Sequence, residues 1–154
     1  KVEATYSLDI IYDSIKTKNS IVLIDKKENK ERKSLNYGHT LGHAIESFFL
    51  NTEKKLLHGE AISIGIVLAS FISNKLFEFP KNYVDLIKNH FNYIYKKIKI
   101  NDNEIEGILA LLKHDKKNSH GKINFILIKD IAKPLYDIQV NENLIKESFK
   151  YYLS

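Results

Sequence analysis

Between Ala61 and Ile72 the chain runs for twelve residues with no charged side chain, broken only by Ser63, Gly65 and Ser70. Leaving such a segment in water forfeits roughly 0.8 kcal/mol per methylene that could be buried, so it must be enclosed on most sides. It falls well short of the ~20 apolar residues that cross a bilayer, and no membrane span is expected. What remains is a central helix around which the rest of the chain packs.

The packing partners are visible by their period. Leu8, Ile11, Tyr12 and Ile15 share one face of a first helix that runs on toward Ile24. Val84, Ile87, Phe91, Ile94 and Ile98 step by three and four, and so do Ile105, Ile108 and Leu112. Ile145, Phe149 and Tyr152 repeat the pattern behind Asn141, an expected N-cap. Between the last two helices the period falls to two, over Ile123, Phe125 and Leu127 and again over Tyr136, Ile138 and Val140, with Gly121 and Pro134 as punctuation. That predicts a short hairpin. The expected fold is therefore mainly α, a multi-helical domain with one short β-hairpin near the C-terminus. With 154 residues, 6 Gly and 2 Pro, it reads as a single domain over 1–154 without a flexible linker.

Composition narrows the chemistry. The absence of cysteine excludes a disulfide scaffold, a thiolate zinc site and a cysteine nucleophile, and it suits a reducing, cytoplasmic compartment. Any metal must then be held by His, Asp or Glu. The 24 Lys and Arg against 19 Asp and Glu give a formal charge of +5, with Arg32 as the sole arginine. The lysines are scattered among acidic residues, without the basic stripe or interleaved aromatics of a nucleic-acid binder, and read as a solvated surface. No nucleic-acid or membrane partner is expected. The polar start at Lys1 is no signal peptide, and a chain without methionine is expected to be a piece of something longer.

Four of the 6 glycines and three of the 6 histidines fall between Gly38 and Gly65. His39 and His43, four apart on a helix, project to one face with Cβ atoms roughly 6 Å apart. His58, before Gly59, Glu60 and the apolar run, stands at a helix N-terminus and is the natural third imidazole for a zinc-like ion. Thr40 occupies the place of the general base in His-Glu-x-x-His, so a peptidase is not expected. Gly38 and Gly42 each cost about 1 kcal/mol relative to Ala in a helix, which points to a ligand or another backbone in close approach. Arg32, Asn36, Lys18 and the Lys116-Lys117 pair are candidate anion contacts. Each feature also has a plainer reading. The His pair can be packed or exposed surface, Glu46 can orient His43 or be a solvated charge, Glu60 can serve the helix start or a ligand, and Lys116-Lys117 can be a solvated helix end. His90, His114 and His120 lack partners at ligand spacing and read as surface.

The stretch Leu35-Asn36-Tyr37-Gly38-His39-Thr40-Leu41-Gly42-His43-Ala44-Ile45-Glu46, followed by Leu57-His58-Gly59-Glu60-Ala61 and Gly65, resembles the signature of 3-dehydroquinate synthases. The likeness extends upstream to Lys18, Asp25, Glu28 and Arg32 and downstream to Asp115-Lys116-Lys117, covering most of the chain in order. It implies conversion of 3-deoxy-arabino-heptulosonate 7-phosphate to 3-dehydroquinate and phosphate, with NAD and a divalent metal, zinc or cobalt, as cofactors, and a homodimer as the full protein. Position by position it makes His39 and His58 the metal ligands and His43 the residue that contacts substrate and relays the alcohol proton. That departs from the spacing reading, which places both members of the His39–His43 pair on the metal. Lys18, Glu28, Arg32, Asn36 and one of Lys116 and Lys117 match substrate positions, with Lys18, Arg32 and His43 as the catalytic group. The family's third metal ligand and most of its NAD contacts come from an N-terminal α/β domain that these residues do not include, so the fragment is expected to be inactive alone. The alternatives are a sister sugar-phosphate cyclase of the inosose or valiolone type, a metal-dependent alcohol dehydrogenase of the glycerol dehydrogenase type, or a non-catalytic helical binding module.

Overall fold

A computed structural model of the chain describes residues 8–114 and 123–154. It divides into two compact units, residues 1–36 and residues 37–154. The described residues form six α-helices, one 3-10 helix and one two-stranded sheet, as the mainly α reading requires.

The first unit holds α1 (Leu8–Ile24) and a 3-10 helix (Glu31–Asn36). The expected apolar face of α1 is present as a pattern, yet none of its residues is buried. The turn between the two helices is organised by Asp25, whose Oδ1 accepts the Asn29 N–H (3.0 Å) and whose Oδ2 accepts those of Lys30 (2.8 Å) and Arg32 (3.1 Å). These donors, Lys30 foremost, hold its carboxyl below the ordinary carboxylate range.

In the second unit α3 (His58–Phe77) is the central helix. α2 (His39–Phe49), α4 (Lys81–Ile94), α6 (Glu142–Leu153) and β1 (Asn124–Asp130) pack around it, and α5 (Asp102–His114) packs on α2. By length and composition α3 would pass as a membrane span, but 61% of its apolar window is buried inside this fold, the mark of a core helix. Its neighbours contribute Leu41, Ile45, Phe49, Val84, Ile108, Phe125, Leu127, Ile145 and Phe149, all buried.

Two details depart from the periodic reading. Ile98 lies beyond α4, which ends where Tyr95 turns extended (φ −113°, ψ 143°). From there Lys97, Ile98, Lys99 and Ile100 alternate out and in, and the Ile98 N–H donates to Tyr152 Oη at 3.2 Å. Pro134 lies inside β2 (Lys133–Gln139), opposite Ile128, instead of in the turn. It is tolerated because a two-stranded sheet leaves each strand an unpaired edge. The turn is made at Ile131 and Ala132, with Ala132 left-handed (φ 59°). Gly121 lies outside the described residues. Asn141 caps α6 as expected, its Oδ1 accepting the Leu144 N–H at 2.9 Å.

Candidate metal centre

The site begins with glycines. Gly38 precedes α2 in a left-handed conformation (φ 78°), which an L side chain rarely adopts. A Cβ there would lie 2.6 Å from the Ile66 backbone nitrogen of α3. One on Gly42 would meet Ile62 Cδ1 at 2.6 Å, and one on Gly65 would meet the Gly38 carbonyl oxygen at 2.1 Å and the Gly42 nitrogen at 2.7 Å. The cost of Gly38 and Gly42 is thus explained by a second backbone, that of α3, and Gly65 supplies the other side of the seam. Side chains larger than hydrogen would hold the two helices apart.

This contact carries His58, the first residue of α3, to His39 and His43 on α2. The ring centroids are 5.2 Å (His39–His43), 5.8 Å (His39–His58) and 5.6 Å (His43–His58) apart. One nitrogen from each ring forms a set lying within 4.8 Å of one another. Ligand atoms on a single tetrahedral ion, at about 2.0–2.1 Å from it, stand roughly 3.3 Å apart, so small side-chain rotations suffice to bring the set onto a metal. His43 and His58 are exposed and His39 is half-buried, leaving the cluster open to further ligands.

The surroundings of the rings are polar and specific. His39 Nδ1 is 3.2 Å from the Tyr37 carbonyl oxygen, and His58 Nδ1 is 3.0 Å from Glu46 Oε2. The Tyr37 hydroxyl is itself anchored, 2.8 Å from Ser70 Oγ on α3, and burial pushes its pKa up to about 12. Glu46 therefore reaches across the loop to His58 on the next helix. Glu60 serves the start of α3, its Oε2 accepting the Leu57 N–H at 2.8 Å. Thr40, in place of a general base, donates to the Asn124 carbonyl oxygen and ties α2 to β1.

The anion-binding candidates of the first unit form a cluster of their own. Asn36 Nδ2 donates to Glu28 Oε1 at 2.6 Å, Arg32 Nε lies 3.7 Å from Glu28 Oε2, and Arg32 Nη1 donates to the Lys26 carbonyl oxygen at 3.1 Å. Glu28 is left-handed (φ 56°) in the turn that Asp25 closes. Lys18 is exposed on α1. Lys116, Lys117 and His120 lie outside the described residues, and His90 is exposed on α4 as expected. Two contributors were not singled out by spacing. Asp25 has no partner at a regular interval, because its partners are main-chain N–H groups, and the Glu46–His58 pair joins two helices across a loop.

Residues 1–118 match the family described as 3-dehydroquinate synthase C-terminal. The 3-dehydroquinate synthase of Parabacteroides distasonis is 34% identical over 143 residues, covering 93% of this chain and 39% of that protein. That of Staphylococcus carnosus is 38% identical over 149 residues, covering 96% and 40%. The chain thus spans about two fifths of the length of these curated relatives. Among solved structures, a 2-deoxy-scyllo-inosose synthase complexed with carbaglucose-6-phosphate, NAD+ and Co2+ superposes with a TM-score of 0.75 at 30% identity, over 92% of this chain and 39% of the other. A 2-epi-5-epi-valiolone synthase from Streptomyces hygroscopicus, with NAD+ and Zn2+ bound, shares the fold with a TM-score of 0.71 at 16% identity, over 95% and 40%.

Proposed function

The chain belongs to the 3-dehydroquinate synthase C-terminal family, and we propose that it forms the metal- and substrate-binding part of a cytoplasmic, homodimeric 3-dehydroquinate synthase. The observation that carries this reading is the convergence of His39, His43 and His58 where two helices meet along a glycine seam. The donor set fits a divalent ion: neutral imidazole is a ligand for zinc and cobalt alike, the chain has no cysteine, and among the described residues the cluster is built of imidazoles without an oxygen cage. His39 and His58 would hold the metal, leaving His43 to contact the substrate and move its alcohol proton.

When bound, the metal supplies Lewis acidity at the substrate hydroxyls and NAD takes up and returns hydride. The tasks left to this chain's own side chains are binding and proton transfer. Arg32, as a planar fork with fixed donors, suits a carboxylate or phosphate oxygen pair. Lys18 and one of Lys116 and Lys117 are assigned further anionic contacts. Asn36 and Glu28 offer a donor and an acceptor to substrate hydroxyls. His43 is an exposed ring on α2, placed to accept a proton from an alcohol and pass it on.

The full protein that carries this chain, supplied with NAD and Zn2+, is expected to release phosphate from 3-deoxy-arabino-heptulosonate 7-phosphate. His39→Ala and His58→Ala should each lose bound metal and activity together. His43→Ala should keep its metal and lose kcat by about 10²–10⁴-fold, the usual contribution of a general acid–base group. Unchanged metal content in His39→Ala and His58→Ala would overturn the reading. The 30% identity to a 2-deoxy-scyllo-inosose synthase favours a second reading, a sister cyclase acting on another sugar phosphate. Phosphate release from glucose 6-phosphate in place of the heptulosonate would establish it.

A further inference from the structure

We infer that Glu46 is a positioning residue for His58, its carboxylate fixing the ring so that Nε2 is presented to the metal. The inference rests on the metal-centre reading above and adds a residue to it.

The argument starts from spacing on α2. His39, His43 and Glu46 fall at i, i+4 and i+7, so one face of a single helix carries two of the imidazoles and the carboxylate. His58 comes from the first residue of α3, where no preceding helical turn packs against its side chain. The ring is 56% exposed, the Glu46 side chain 29%. The carboxylate is thus the more enclosed of the two partners. With Nδ1 only 3.0 Å from Glu46 Oε2, a neutral imidazole places its proton on Nδ1 and keeps its lone pair on Nε2.

His39 provides an internal parallel. Its Nδ1 faces the Tyr37 carbonyl oxygen, which can only accept, so its Nε2 is likewise the nitrogen left for a ligand. Both proposed histidine ligands are therefore held from behind through Nδ1 by an oxygen. For His39 the oxygen is main chain and no substitution removes it, whereas for His58 it is a side chain. A carboxylate behind a ligating imidazole fixes the tautomer, sets the ring plane and raises the basicity of the ligating nitrogen. A surface ion pair with no such role would leave metal binding untouched.

The test measures metal affinity directly in the full protein, by chelator competition for Zn2+ and Co2+ and by the visible spectrum of the Co2+ form. Glu46→Ala should weaken both metals by about 10- to 100-fold and shift the Co2+ bands. Glu46→Gln retains a neutral acceptor and should recover part of that loss while remaining several-fold weaker than wild type. Wild-type affinity and spectrum in Glu46→Ala would overturn the inference. Should Glu46→Ala fail to fold, the Glu46→Gln variant decides, and wild-type affinity there overturns it equally. His58→Ala separates this inference from its premise: if His58→Ala keeps wild-type affinity the metal centre itself is wrong, and if it loses the metal while Glu46→Ala does not, only the role of Glu46 falls.

Discussion

The histidine cluster of residues 37–154 and the Glu28–Arg32–Asn36 cluster of residues 8–36 are held by opposite means. The first depends on packing. His39, His43 and His58 meet because Gly38, Gly42 and Gly65 let two helix backbones come closer than any Cβ would allow. The second depends on one buried carboxylate, since Asp25 collects three main-chain N–H groups and so sets the turn on which Glu28 and Arg32 sit. Their helices differ in the same way. α3 has eleven buried residues, whereas α1, although it carries an apolar face, has none, with Leu8 at 84% and Ile24 at 74% exposure. Apolar period identifies a face and says nothing of what covers it. Metal ligands need separations fixed to a few tenths of an ångström, which dense packing provides, while contacts to a charged group tolerate looser support from hydrogen bonds.

The largest effect should follow from filling the seam. Gly65→Ala would put a methyl group 2.1 Å from the Gly38 carbonyl oxygen and 2.7 Å from the Gly42 nitrogen, and neither backbone atom can rotate away. The helices must separate, at a cost of about 3 kcal/mol by the usual range for overpacked cores, seen as a lower unfolding midpoint in urea. Metal affinity should fall with it, because His58 travels with α3. A variant with wild-type stability and metal affinity would show that the histidine cluster does not depend on the seam.

A smaller and differently placed effect is expected from Asp25→Ala. It removes the acceptor for the Asn29, Lys30 and Arg32 N–H groups, so the Glu28–Arg32–Asn36 cluster should lose its geometry while the histidines keep theirs. In the full protein kcat/KM should drop by on the order of ten- to a hundredfold, a usual penalty for misplaced binding groups, with metal affinity unchanged. Metal loss in this variant would break the proposed independence of the two clusters. The same carboxyl gives the turn a pH dependence of known sign. Unfolded it titrates near 3.8, and folded it lies lower, so its contribution is complete above 3.8 and is lost as the pH falls through the folded pKa. The Asn29, Lys30 and Arg32 amide protons should therefore stay protected from exchange at pH 5 and lose protection only below 3.8.

How far each cluster was legible in the sequence follows from what holds it. The helices α5 and α6 and strand β1 show in their periods because each buries the face that the period marks, whereas α3 shows as an unbroken apolar run because it is enclosed on most sides. Ile98 misled because steps of four and of two coincide at Ile94, Ile98 and Ile100, and the backbone took the shorter period after Tyr95. The three histidines were legible because two share a helix face and the third opens the next helix. The Glu46–His58 contact was not, since i+3 spacing points to His43 and only the tertiary contact of α2 with α3 brings His58 within reach. Gly38 and Gly42 announced that something came close without saying that Ile62, Gly65 and Ile66 were the neighbours.

The smallest effect gives the most discriminating control. Gly59→Ala makes the same chemical change as Gly65→Ala, on the same helix and next to a proposed metal ligand. Among the described residues beyond its chain neighbours and its own helix backbone, the only atom an added Cβ would approach is Tyr95 Oη, at 3.7 Å, an ordinary van der Waals distance. Nothing has to move, and the backbone freedom that glycine retains in the unfolded chain is reduced. The full Ala-for-Gly gain within a helix is about 1 kcal/mol. Gly59 lies in the first turn, where fewer intrahelical bonds depend on it, so a gain of roughly 0.5 kcal/mol is expected, with the unfolding midpoint moving up. Metal affinity should not change, because His58 is held from behind by Glu46 and the start of α3 by the Glu60 contact to Leu57, neither of which the new methyl touches. If Gly59→Ala instead loses stability and metal as Gly65→Ala does, the losses belong to α3 as a whole and not to the seam, and the contrast between a packed and a hydrogen-bonded cluster would no longer rest on the three glycines.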